Sequence, residues 1–127
     1  MTRTESDERS QQIYCLINKG RVMKMPFHGL TLLDYAINAS LVLSNVALVR
    51  QDKAGLITFE KNLDTFLLAD KKPTQMNQVL ETLYKQKTDF LEADFEKLFS
   101  MIRNRITNRS LLVLFTNFES MESLQRE

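Results

Sequence analysis

The residues best placed for chemistry are two loops, Asn18-Lys19-Gly20-Arg21-Val22 and Asn117-Phe118. Each follows a short apolar run, Ile13–Ile17 (IYCLI) or Ser110–Thr116 (SLLVLFT), that reads as a strand. Loops at the carboxyl ends of parallel strands are where such sheets collect ligands. Amides and cations there can bind an anionic group, but a hard divalent cation wants carboxylates. Other candidates are isolated. His28 is the single histidine and shares a loop with Pro26 and Gly29. An imidazole with no placed partner reads as a surface residue. Cys15 lies inside an apolar run, where burial raises a thiol pKa and blunts it as a nucleophile. Gly55 stands outside any Gly-rich cluster, so it reads as close backbone packing and not as a phosphate loop. Glu92, Asp94 and Glu119 could supply carboxylates to a metal, but helix-start acids favoured by the dipole are the simpler account. No paired carboxylates, triad or metal cluster is placed for catalysis, so the chain is not expected to be an enzyme.

Composition narrows the partners. A chain of 127 residues, 43% hydrophobic and 26% charged, is one domain with a packed core. Seventeen basic and sixteen acidic side chains leave a net charge of +1. That charge gives no field directed at nucleic acid or an anionic membrane. The groups Lys71-Lys72, Lys85/Lys87 and Arg103/Arg105/Arg109 are interleaved with acids and lack an aromatic RNA-binding signature. The single cysteine cannot form an internal disulfide, which fits a reducing, cytoplasmic compartment. The longest apolar stretch, Leu41–Val49, is broken by Ser44 and Asn45 and is too short to span a bilayer, so no membrane contact is expected. Residues 1–12 read as a flexible, polar lead-in, and the domain as 13–127.

The elements that must carry the two loops follow from periodicity. Thr31-Leu-Leu-Asp34 has the spacing of a capping box. The helix it opens, to about Arg50, is apolar nearly all round, which predicts cover on several sides. Ala54–Phe59 and Leu63–Ala69 are strands separated by Glu60-Lys61-Asn62, so they pair antiparallel. Pro73-Thr74 opens a helix whose face is Met76, Val79, Leu80, Leu83 and Tyr84. Asp89 and Glu92 offer a further capping spacing. Leu91, Phe95, Leu98, Phe99, Ile102 and Ile106 form the stripe of a third helix. Ser120–Glu127 looks like the first turns of another. Long helical crossovers imply a mostly parallel sheet covered on both faces, a three-layer α-β-α fold.

The succession IYCLINKGRVM, GLTLLDYAINASLVLSNVAL, DKAGLITFEKNLDTFLL, EADFEKLFSMI and SLLVLFTNFES resembles a von Willebrand factor A-like domain. More narrowly it is similar to the bacterial domain-of-unknown-function family 58. LLDYAINASL and DKAGLITF are the most specific blocks. The resemblance implies a Rossmann-like sheet with strands in the order third, second, first, fourth. It also implies that a complete domain continues beyond Glu127, that a longer parent carries membrane helices ahead of this region, and that a MoxR-type AAA+ ATPase is a partner.

Domains of this kind hold a divalent cation with Asp-x-Ser-x-Ser after the first strand, a later Thr, and an Asp after the fourth strand. The matching positions here are Asn18, Gly20, Val22, Ala93 and Asn117, and all five depart from the pattern. Two amides with Lys19 and Arg21 beside them lack the charge to hold Mg²⁺, so no metal and no cofactor are expected. The expected function is a metal-independent interaction or scaffold module with a degenerate cation site. Its contact surface would be Lys19, Arg21, Met23, Asn117 and Phe118, with Lys19 and Arg21 receiving a partner's carboxylate. The alternative is a cation-dependent domain using substitute acidic ligands. Ser110–Thr116 would lie at a sheet edge, so self-association through that edge is also expected.

Overall fold

The computed structural model describes residues 11–85, 95–106 and 108–117, apart from the side chains of Phe27 and Phe95. The chain runs through β1 (Gln12–Asn18), a 3₁₀ turn (Arg21–Lys24), β2 (Pro26–Phe27), β3 (Leu30–Thr31), α1 (Leu32–Val49), β4 (Lys53–Phe59) and β5 (Leu63–Asp70). It continues through α2 (Gln75–Tyr84), α3 (Phe95–Arg105) and β6 (Ser110–Phe115). Four strands form a mixed sheet in the order β5-β4-β1-β6. β1 pairs parallel with β4 and with β6, and β4 pairs antiparallel with β5. This is an α/β fold; the strand order is the one the resemblance implies, and the antiparallel β4–β5 pair is the one read from the short link between the two strands.

Alternation along β1 splits the core in two. Cys15 and Ile17 pack with Leu33 and Ala36 of α1 and with Val79 and Leu83 of α2. Tyr14 and Leu16 pack on the other face with Leu98 and Ile102 of α3. Successive strand side chains point to opposite faces, so a strand apolar throughout must be covered twice. Each buried Leu or Ile contributes about 1.5–3 kcal/mol on this account.

Helix α1 starts where the capping box places it. The Asp34 N–H donates to Thr31 Oγ1 at 3.1 Å, and the Thr31 N–H donates to Asp34 Oδ2 at 3.0 Å. It ends in a Schellman pattern, with Gln51 N–H donating to Leu48 O and Asp52 N–H to Ala47 O. Gln51 takes the left-handed φ of 70° that this ending needs.

The expectation that α1 is covered on several sides is not met. Its buried face is Leu33, Ala36, Ser40, Ser44 and Ala47, mostly small residues that let the helix sit close to the sheet. Val42, Val46 and Val49 are 63%, 46% and 72% exposed. Nor is the helix too short for a bilayer: its 18 residues are long and apolar enough by length and composition alone. Helical phase, and not hydropathy, decides which side packs.

Smaller departures follow the same logic. Tyr84, predicted on the buried face of α2, is 77% exposed because the helix ends there. Gln12 belongs to β1, and Gln11 O already accepts from Lys53 N–H, so the fold begins before residue 13. The stretch read as a plain loop, Arg21–Gly29, holds the 3₁₀ turn and a hairpin. His28 and Gly29 both have positive φ, 53° and 87°, the pattern of a type I′ turn. The expectations placed on Asp89, Leu91, Glu92, Ala93, Asp94, Phe118, Glu119 and Ser120–Glu127 lie outside the described residues.

Candidate functional site at the strand ends

β1 and β6 deliver Asn18 and Asn117 to the same end of the sheet, as parallel neighbours must. Asn18 is fully buried. Its Nδ2 donates to Thr116 Oγ1 at 2.9 Å, and its Oδ1 accepts the Gly20 N–H at 2.7 Å. Asn117 Nδ2 donates to the Val22 carbonyl at 3.1 Å. The two asparagines therefore tie the β1 loop to the end of β6.

Lys19 is the principal correction. It was expected as half of an exposed basic pair, yet it is 1% exposed. Its N–H donates to Phe59 O at 2.7 Å, and its Nζ reaches Asp64 Oδ2 at 2.6 Å. Thr58 and Thr65 hydroxyls approach the same oxygen at 3.4 Å. The carboxylate that Lys19 receives is internal. Asp64 is half exposed, so water shares in solvating it, whereas the ammonium is buried. Met23, also expected at the surface, is buried against Cys15 and Ile17 in the α1 core. Gly20 is buried too, whereas Arg21 is exposed as expected.

No local signal links Lys19 to Asp64, since 45 residues separate them. The geometry follows from register: Asn18 stands opposite Phe59 on β4, and the β4–β5 turn returns Asp64 beside Thr58. Beside this cradle the sequence places a second surface that was not singled out. Met25 and Leu30 are 50% and 42% exposed on the hairpin, next to exposed Arg21, Lys24 and His28. Two large apolar side chains flanking a Pro-Phe-His-Gly turn were the available signal.

A divalent cation does not fit these residues. The one amide oxygen that Asn18 could offer already accepts the Gly20 N–H, and Asn117 is held to Val22 O. The next residue, Lys19, adds a buried ammonium paired with Asp64. Among the described residues no group of three or more His, Cys, Asp or Glu is placed to hold a metal. The remaining candidates sit apart. Burial pushes the Cys15 thiol up, with the Ser40 and Ser44 hydroxyls pulling partly back. His28 stands in the exposed hairpin turn. The chain matches no family model and no curated protein.

Proposed function

We propose that this chain is a metal-independent protein-interaction module, and not an enzyme, that docks a partner on the hairpin surface Arg21–Thr31. The observation that carries this reading is the closure of the cradle by the chain's own groups. Asn18, Asn117 and Lys19 are all spent on internal partners. Among the described residues, Arg21, Met25 and Leu30 stand exposed at this end, a cation and two apolar side chains. Contact patches of this make-up bury an apolar centre and use a rim charge for orientation. The surface therefore moves from Lys19 and Met23 to the hairpin. The matching partner presents an apolar side chain beside a carboxylate. The resemblance to von Willebrand factor A-like domains supports a MoxR-type AAA+ ATPase as the first partner to test, a warrant by analogy.

Titration calorimetry of the chain against such an ATPase tests it. Binding that is unchanged by Mg²⁺ or chelator is expected. Arg21→Glu and Leu30→Asp should each weaken it about tenfold, or 1.4 kcal/mol. Unchanged affinity in both variants rejects the surface. A melting temperature raised by Mg²⁺ or Mn²⁺ would instead restore the cation-dependent reading, because a ligand binding only the native state stabilises it.

A further inference from the structure

Strand β6 is paired on one side by β1, and among the described residues no strand lies on its other edge. Leu111 and Leu112 are 51% and 39% exposed there. The strand reads SLLVLF, with no charge, proline or glycine. Sheets ordinarily blunt a bare edge with charges, prolines or bulges. The opposite edge, β5, does so: its ladder is shifted twice, and it carries Asp64 and Asp70. β6 has none of these devices.

Both sides of β6 also offer unfilled apolar surface. On the α3 side, Phe99, Ile102, Ile106 and Leu112 line a groove of about 310 Å³, rimmed by Arg103 and Asn108. On the α1 side, Ile37 and Leu41 join the core shared with α2. Helical phase turns Leu43 and Val46 to the opposite flank, where they are 36% and 46% exposed. An added strand must therefore be apolar on both faces. β6 is itself such a strand, with Leu111, Val113 and Phe115 on one face and Leu112 and Leu114 on the other.

We propose that β6 pairs antiparallel with β6 of a second copy of this chain, giving one continuous sheet across a two-fold axis. Charge selects the direction. Arg109 precedes the strand and Thr116-Asn117 follows it. Antiparallel pairing sets the basic end of one copy beside the neutral end of the other, whereas parallel pairing stacks Arg109 on Arg109. Centring the pair on Val113 places Leu112 opposite Leu114 of the second copy and Leu111 opposite its Phe115. Like faces then meet, and each groove receives a large aliphatic side chain at its mouth. A two-fold contact of this kind is self-complementary and closes at two copies.

Light scattering on the full chain, followed over a wide concentration range, tests the contact. The expected mass rises from 14.8 kDa to twice that value. Leu112→Lys should raise the dissociation constant by at least about tenfold at unchanged circular dichroism and melting temperature. Leu111→Lys serves the same purpose if Leu112→Lys does not fold. Leu68→Lys, on the exposed β5 edge, should leave the dimer intact. Amide exchange in Leu111–Phe115 should slow as protein concentration rises. A monomer throughout, a mass above two copies, or a folded Leu112→Lys or Leu111→Lys chain that still dimerises as the parent does would each overturn the proposal.

Discussion

β4 and β6 flank β1 in the same parallel sense, yet the chain fastens them differently. On the β4 side the links are buried and continuous. Tyr14 lies across Gly55, and its hydroxyl accepts the Ala69 N–H from β5 at 3.0 Å. That N–H lies at the register shift between Ala54 and Leu56, where the β4–β5 ladder is interrupted. Gln75 closes the rest of the irregularity, donating to Ala54 O at 2.7 Å and Leu68 O at 3.1 Å. Lys19 then fastens the far end to Phe59 and Asp64. On the β6 side, beyond the ladder, polar side chains hold the two ends: Ser110 to Gln12, Asn18 to Thr116, and Asn117 to Val22. The middle of β6 turns leucines outward. The comparison teaches that β1, β4 and β5 form the more heavily fastened part of the sheet, while β6, beyond its ladder, is pinned by side chains at its ends.

The sharpest way to break that asymmetry is Gly55→Val. A Cβ at residue 55 would stand 2.4 Å from Tyr14 Cε1 and 2.9 Å from the Ala69 nitrogen. The ring cannot retreat without losing its hydrogen bond. We expect a loss above about 3 kcal/mol in urea denaturation, the upper range for overpacking. A small loss would mean that Tyr14 is free to move and that the β4 side is looser than described.

Asp64→Ala comes next. It removes the carboxylate that the buried ammonium contacts at 2.6 Å, and about 2 kcal/mol should be lost. The value falls short of that for a fully buried pair because water reaches Asp64. Lys19→Met leaves only a half-exposed carboxylate, so it should cost less. Equal losses in the two variants would contradict the buried-lysine account.

Tyr14→Phe should cost about 1–2 kcal/mol by leaving the Ala69 N–H unpaired. Burial, partly offset by the Ala69 hydrogen bond, holds the Tyr14 pKa above the ordinary phenol range, and burial likewise raises Cys15. At neutral pH both groups are protonated in folded and unfolded chains, and no pH dependence arises from them. As pH rises past their unfolded-state values, the unfolded chain releases protons that the folded chain keeps. Stability then falls, by at most about 1.4 kcal/mol per group per pH unit, until the folded-state values are passed. Alkaline melts should show this slope, and Tyr14→Phe should reduce it. A flat alkaline profile would argue that neither group is buried.

The smallest effect belongs to the β6 edge. Leu111→Ser, measured at a concentration where the chain is monomeric, should change stability by about 0.5 kcal/mol or less. A large loss there would show that the edge is already covered within one copy.

The sequence determined what depends on near neighbours. The Thr31–Asp34 box fixed the start of α1, short apolar runs marked the main strands, and the turn after Phe59 forced β5 to pair antiparallel. The amides at residues 18 and 117 also read directly, because side-chain chemistry needs no coordinates. Tertiary structure alone decided which groups those residues meet. Lys19 finds Asp64 and Tyr14 finds Ala69 through strand register, across 45 and 55 residues. The small face of α1 packs because azimuth on the sheet, and not mean hydropathy, selects the contact. Hydrogen bonds within one turn leave a mark in the spacing of residues; partners brought together by sheet order leave none.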